Sequence, residues 1–490
     1  MVARLTLRRA LAALGALALA AAPVHGEGRP RYGGVVTGAL LGEPAGFDPV
    51  AARTAADVAV IALVFDTLYR VGPDGRIAPH LAAALPEVVN GKSHIAIRPG
   101  AHFHNGAALG AADVAASLAR VKDAPAGWLL AGIDDIAVDG DAVVLGTTRK
   151  DLAQLLAAPA TAITPRGLAP RPTAPIGSGP FRLAGARKDR LELDAYAEHF
   201  AGRAYLDHVT LRWFTAADGE ARLYETGGSD WSLRGATAFA HGTPKHPTVS
   251  LDAPATLLVY LGFGGRARAI TDNRDFRIAL EAALARGGLA GVGAGERVVP
   301  TRDPIPVDLG GPALGEAERV ARLPEAQAAL AAAAGAVPAL APARIGAVSL
   351  EILVDASRPD DREIAERVVI ALDKLGLAAT IAAVAAPDLA RRIAAAGCDL
   401  YIGQLALQVA TPVHLFAAAY AAGGEREVAV RLAAGPSIDL VRARGAFTKR
   451  WPIVPLVHRG VRLHLRRDLR GAAFEPSARL GIAELFRWGR

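Results

Sequence analysis

One stretch limits the fold of this chain more than any other. Residues 349–354 alternate as a strand, and Asp361 begins a helix in which Ile364, Val368, Leu372 and Leu375 follow helical spacing until Gly376 stops it. Residues 377–381 make the next strand, Pro387-Asp388 open a second helix that ends at Gly397, and residues 399–402 make a third strand. A β-α-β-α-β order implies a parallel sheet with right-handed crossovers. Ligands of such open sheets bind beyond the carboxyl ends of strands, near a topological switch point. The loop after Ile402, residues 403–412, is therefore where ligand contacts are expected.

The amino-terminal part mixes both element types. Residues 35–39 read as a strand after Gly33-Gly34, and Thr54 with Asp57 three residues on has capping-box spacing. Val58, Ile61, Phe65 and Leu68 recur on one helical face. Asp74-Gly75 turns the chain, residues 93–98 alternate as a strand, and Asn105-Gly106 makes a tight turn. Val114, Leu118 and Val121 mark a second helix, and Asp139-Gly140 joins runs 136–138 and 142–145 as a hairpin. This segment is α+β. Residues 165–180, rich in Pro and Gly, look like a crossing between lobes, and residues 324–334 read as a helix.

Arg4, Arg8 and Arg9, an apolar run over 11–22, and the small-residue region Val24-His25-Gly26 follow one another as in a secretory signal cut after Gly26. About 20 apolar residues are needed to span a bilayer, so the run is too short for an anchor. No Cys near the cut offers a lipid attachment point, and the single Cys398 rules out an intramolecular disulfide. The Ala-rich stretches 326–343 and 378–396 are broken by Pro, Gly or charge, so neither reads as a span and the mature protein is expected to be soluble and periplasmic. The formal charge is +7, of which the leader supplies three arginines and no acid. The remaining surplus is small and scattered, which argues against a nucleic-acid partner.

Signals for chemistry are weak. His94, His102 and His104 suggest metal ligands, but no Cys, Asp or Glu nearby completes a set at familiar spacing. Gly291, Gly293 and Gly295 lack a dinucleotide loop's preceding strand, and Ser178 between two glycines is not in a nucleophile elbow. No catalytic residue, metal or cofactor is assigned.

Several segments, in order, resemble one family. Gly33-Gly34, Glu43-Pro44 with Phe47-Asp48-Pro49, and Pro79-His80-Leu81-Ala82 come first. Arg98-Pro99-Gly100 with Phe103-His104-Asn105-Gly106, then Pro175-Ile176-Gly177-Ser178-Gly179-Pro180-Phe181, are the most specific blocks. Tyr205-Leu206-Asp207, Asp275-Phe276-Arg277, Asp399-Leu400 and Trp451-Pro452 continue the series. Together they resemble the extracellular solute-binding proteins of family 5, the dipeptide, oligopeptide and nickel receptors of ABC importers. The resemblance implies an α/β, two-lobed periplasmic-binding-protein type II fold with an extra small α+β domain. It implies a signal peptide at 1–26, a first domain from 27–58, 175–258 and 461–490, a second at 59–174 and a third at 259–460. It also implies a monomer that closes on a small-molecule or peptide-like ligand and docks on an ABC permease, and it makes His104 part of a structural turn. The region 413–449 looks shortened relative to the family, and the segment from Trp231 to Leu251 compressed.

In the family's peptide-binding members, an aspartate in a Trp-Gly-Ala-Asp-Tyr-type loop after the third strand pairs with the ligand's free amine. Here the tryptophan becomes Leu405, the aspartate Gln408 and the next residue Val409. A glutamine accepts a hydrogen bond but neutralises no ammonium, and a buried charge left unpaired typically costs ~3–5 kcal/mol. Ordinary peptides with a free amino terminus are therefore expected to bind poorly, unless a carboxylate such as Asp48 supplies the charge. Gln404, Leu405, Gln408 and Thr411 are the expected ligand contacts, with Phe47 and Trp231 as apolar walls. A receptor of an importer is the first reading. A binding protein of the same fold acting as sensor or carrier without a transporter is the second, and an exported enzyme the third.

Overall fold

A computed structural model describes residues 30–488 apart from 41, 168–173, 215–216, 234–238, 240–243, 293–296 and 436–437. The leader through Gly26, the glycines Gly293 and Gly295, and part of the 165–180 crossing lie outside the described residues.

Strand β1 (Val35–Ala39) leads to helix α1 (Ala55–Val64). The capping box is complete: Thr54 Oγ1 accepts from Asp57 N at 3.1 Å, and Asp57 Oδ2 accepts from Thr54 N at 2.9 Å. The helix ends at Val64, earlier than the periodicity predicts, because Phe65 is extended (φ −126°). Its last carbonyls are met from far along the chain, where Gly179 N donates to Val64 O at 3.0 Å. A Cβ on Gly177 would lie 1.8 Å from that same oxygen, which explains one glycine of the Pro-Ile-Gly-Ser-Gly block.

A small α+β unit follows. Strands β2 (Tyr69–Val71) and β3 (Ile77–Pro79) form a hairpin. Strands β4 (Glu87–Val89) and β5 (Lys92–Ala96), helix α2 (Ala111–Asp123), and strands β6 (Ile136–Asp139) and β7 (Ala142–Leu145) complete it. The four-stranded sheet runs β4-β5-β7-β6, and Val114, Leu118 and Val121 of α2 are buried in its apolar cluster.

The chain then returns beside β1. Strands β8 (Phe181–Arg187), β9 (Arg190–Ala195) and β10 (His208–Arg212) form a sheet of order β1-β10-β9-β8, in which β1 and β10 are parallel. Strands β11 (Trp231–Ser232) and β12 (Thr248–Asp252) start a second sheet of this unit.

The largest unit begins with strand β13 (Leu257–Phe263), helix α3 (Arg274–Ala283), strand β14 (Arg297–Pro300) and helix α4 (Leu323–Ala336). Next come β15 (Ser349–Asp355), α5 (Pro359–Lys374), β16 (Ala378–Val384), α6 (Ala386–Ala394) and β17 (Leu400–Leu405), the order that the sequence predicts. Helices α7 (Pro412–Ala422), α8 (Arg426–Ala433) and α9 (Leu440–Arg450) precede β18 (Val454–Gly460). The six strands are ordered β14-β18-β13-β17-β15-β16. Strand β15 is parallel to both β16 and β17, whereas β13, β14 and β18 pair antiparallel, so the sheet is mixed and not wholly parallel. After β18 the chain re-enters the first unit as β19 (Arg462–Arg466), between β11 and β12.

The three largest apolar clusters each belong mainly to one unit. The two crossings between the first and largest units run side by side, where Ala253 N donates to Val461 O at 2.9 Å. Paired short crossings of this kind are where a two-lobed molecule can bend.

Candidate ligand site between the lobes

From β15 the chain leaves through α5 to β16 on one side, and it comes back through α6 to β17 on the other. The carboxyl ends of β15 and β17 therefore form the switch point, where crossovers part and leave a crevice. The strand runs to Leu405, so Gln404 and Leu405 are strand residues and the loop itself is 406–411, shorter than the sequence suggests.

Charge is concentrated at these two strand ends. Asp361, in the first turn of α5 and 1% exposed, accepts two bonds from Gln404 Nε2 at 3.0 and 3.1 Å. Arg459 Nη2 lies 3.7 Å from Asp361 Oδ1, and Arg358 Nε lies 3.3 Å from Asp355 Oδ2. Burial pushes the Asp361 carboxyl above its ordinary value, against the pull of Arg459 and Arg358. Burial likewise raises Glu43, with Asp355 adding to the effect. Two buried carboxylates thus face two buried guanidinium groups, and Nε and Nη2 of Arg358 have no hydrogen-bond partner among the described residues.

The other units close over this seam. Glu43 N donates to Ser357 Oγ at 3.1 Å, and Ala406 N donates to Arg53 O at 3.1 Å. Ala160 N of the small unit donates to Gln408 Oε1 at 3.2 Å. Val58, Leu257 and Ala406 form a separate apolar contact across the lobes.

The expected contacts are placed unevenly. Gln404, Leu405 and Gln408 come together at the seam, with Gln404 engaged by Asp361 and Gln408 by Ala160. Thr411 caps α7, and its hydroxyl is 2.6 Å from His414 Nδ1. Phe47 is half-buried against the first unit's apolar cluster. Trp231 is no cleft wall here: it is 1% exposed, donates from Nε1 to Ala39 O at 3.0 Å, and fills the space over Gly38. A Cβ on Gly38 would lie 1.7 Å from the indole, so the missing side chain makes room for the ring. Asp48 is also committed, since it pairs with Arg120 and accepts from Val50 N at 3.2 Å.

Arg358 and Arg459 are not singled out by the sequence, which marks Asp361 only as the start of a helix. Asp360 and Asp361 after Pro359 look like ordinary first-turn acids of a helix, and Arg459 lies on a strand distant in sequence. His104 has a turn's role: Nδ1 accepts from Gly177 N at 3.3 Å, and Nε2 donates to Gly179 O at 2.9 Å.

Lobes joined by two short crossings, with a polar seam at a sheet's switch point, define a binding protein of the type II two-lobed class. The chain belongs to the bacterial extracellular solute-binding proteins, family 5, whose middle region matches residues 76–426. It is similar to the murein tripeptide binding protein MppA of Escherichia coli, with a TM-score of 0.76 at 16% identity, covering 95% of this chain and 100% of that one. The agropinic-acid complex of AgaA from A. tumefaciens R10 gives a TM-score of 0.74 at 20% identity, with 91% and 96% covered. In sequence, the chain is 24% identical over 279 residues to the oligopeptide-binding protein AppA of Bacillus subtilis, 53% of this chain and 51% of that protein. It is 27% identical over 165 residues to the HTH-type transcriptional regulator SgrR of Photorhabdus laumondii, 32% of this chain and 29% of the regulator. The chain thus spans about half of one of these curated relatives and under a third of the other. No helix among the described residues is long and apolar enough to cross a membrane.

Proposed function

We propose that this chain is an exported receptor that captures a small organic or peptide-like solute by hinge closure and delivers it to an ABC permease. Within it, 27–58, 175–258 and 461–490 act as the first domain, 59–174 as the second and 259–460 as the third, with residues 1–26 as the export signal. The observation that carries this reading is the seam at the ends of β15 and β17, where groups of all three units meet. The receptor works as a monomer and performs no chemistry on its ligand.

Gln404, Leu405, Gln408 and Thr411 contribute to the ligand site, with Phe47 at its apolar edge. The glutamines change partners when ligand enters: Gln404 leaves Asp361 and Gln408 leaves Ala160. Asp361 and Asp355 are already balanced by Arg459 and Arg358, and Asp48 by Arg120, so none is a ready partner for a ligand ammonium. Arg358, with hydrogen-bond donors to spare, suits a carbonyl or carboxylate. The ligand class is therefore a neutral, blocked or less polar solute, not an ordinary peptide with a free amino terminus. Calorimetric titration with a di- and tripeptide library, free and amino-acetylated, tests this. Unmodified peptides should bind weakly, and submicromolar binding by them would overturn the ligand assignment.

A second reading, a sensor or carrier without a transporter, is favoured by the likeness to the SgrR regulators. The two readings differ in whether the loaded protein stimulates a permease's ATP hydrolysis.

A further inference from the structure

Asp66 lies just past the end of α1, His80 just past β3, and His199 in the turn after β9. Their ligand atoms all fall within 4.8 Å of one another. His80 Nε2 is 2.8 Å from Asp66 Oδ1, and His199 Nε2 is 3.4 Å from Asp66 Oδ2. The three side chains are 15%, 3% and 6% exposed for His80, Asp66 and His199.

The hydrogen bonds around His199 orient its ring towards Asp66. His199 Nδ1 is 3.1 Å from Gly202 O. A carbonyl oxygen only accepts, so Nδ1 carries the hydrogen, and Nε2 meets Asp66 at 3.4–3.5 Å either as the second N–H of an imidazolium or as the lone pair of the neutral ring. A buried carboxylate at that nitrogen calls for positive charge, which either a proton on the ring or a cation between the two groups supplies. An imidazole whose far nitrogen donates to a backbone carbonyl is also the arrangement that orients histidine ligands on metals. The Asp66 carboxylate is held in turn by the Ser178 hydroxyl, which donates to Oδ2 at 2.9 Å. With metal–ligand bonds of about 2.0–2.1 Å, a tetrahedral site has ligand–ligand edges of roughly 3.3 Å; the separations here, 2.8 and 3.4 Å with all atoms inside 4.8 Å, reach that geometry with small side-chain shifts.

We propose that Asp66, His80 and His199 form a site for one divalent cation of the zinc class. Two imidazole nitrogens and one carboxylate oxygen, with no thiolate, suit Zn²⁺ or Co²⁺ better than Ca²⁺ or Mg²⁺. All three residues line a cavity of about 530 Å³, which gives the ion a path in and leaves a fourth position for water. The ion ties the small unit, through Asp66 and His80, to the first unit, through His199. It is separate from the seam that carries the ligand reading and does not depend on it.

The test uses the untagged mature chain, stripped of metal and titrated with Co²⁺ at neutral pH. One equivalent should bind with a visible ligand-field band, Zn²⁺ should displace it, and His80→Gln and His199→Gln should each abolish the band. X-ray absorption of the Co²⁺-loaded wild type should show two imidazole scatterers, a readout that needs no variant to fold. No stoichiometric binding by the wild type, a band unchanged in both variants, or an all-oxygen coordination shell overturns the proposal.

Discussion

His458 shows how burial tunes a single residue in this molecule. It lies on β18 with no exposed surface, and its Nε2 donates to Pro304 O at 3.3 Å. Burial pulls its pKa down from 6.5 to about 4, more than the Pro304 carbonyl restores. Between those values the unfolded chain takes up a proton that the folded chain refuses. Stability from this residue is therefore complete above about pH 6.5 and is lost as pH falls towards 4, by about 3 kcal/mol in all. His414, pulled down to about 4 in the same way, adds a loss of the same sign. Urea unfolding of His458→Gln should show a pH dependence shallower than wild type by about 1.4 kcal/mol per pH unit over this window. Parallel curves for the two proteins would show that His458 titrates normally. Histidine was legible in the sequence only as a residue type. His94, His102 and His104 drew attention by proximity in sequence, whereas Asp66, His80 and His199 meet through the fold.

Helix α1 separates local from distant control of one element. Its start is local: Thr54 and Asp57 cap each other, and Asp57 also accepts from Arg53 N at 3.1 Å and Ala45 N at 2.7 Å. Thr54→Ala should cost about 1 kcal/mol, the usual value of an N-cap. Asp57→Ala should cost about 3 kcal/mol, because several backbone donors lose a charged acceptor at once. Equal losses for the two variants in chemical denaturation would show that the extra bonds to Asp57 contribute nothing. The end of the helix is set by the Gly177–Gly179 segment, which no window around α1 contains. Strand β17 gives the complementary case. Its existence follows from the β-α-β-α-β pattern, but its extension to Leu405 follows from pairing with β13, where Gln404 is opposite Val259 and Leu405 opposite Leu258.

For the molecule as a whole, the two crossings at Ala253 and Val461 leave the lobes joined by little backbone, while the seam holds them by a few hydrogen bonds. A few such bonds cost little to exchange, since each contributes about 1 kcal/mol net. The chain should therefore open and close as two bodies, with ligand favouring the closed form. Small-angle scattering should show a more compact particle once the ligand found by titration is saturating. Identical profiles with and without that ligand would count against hinge closure.

The sequence by itself determined the alternation at 349–402, the capping box at Thr54, the apolar face of α2 and the ordered blocks that carry the family resemblance. These depend on backbone propensity and on burial with a period of two or 3.6 residues, which neighbouring residues specify. Only the tertiary structure decided that Trp231 fills the hollow over Gly38, that Gln404 and Gln408 have partners inside the protein, and that Asp361 meets Arg459. The same holds for Asp66, His80 and His199. Each of these outcomes joins residues far apart in the chain, and their separation in space follows from strand order and lobe packing, which local patterns do not encode.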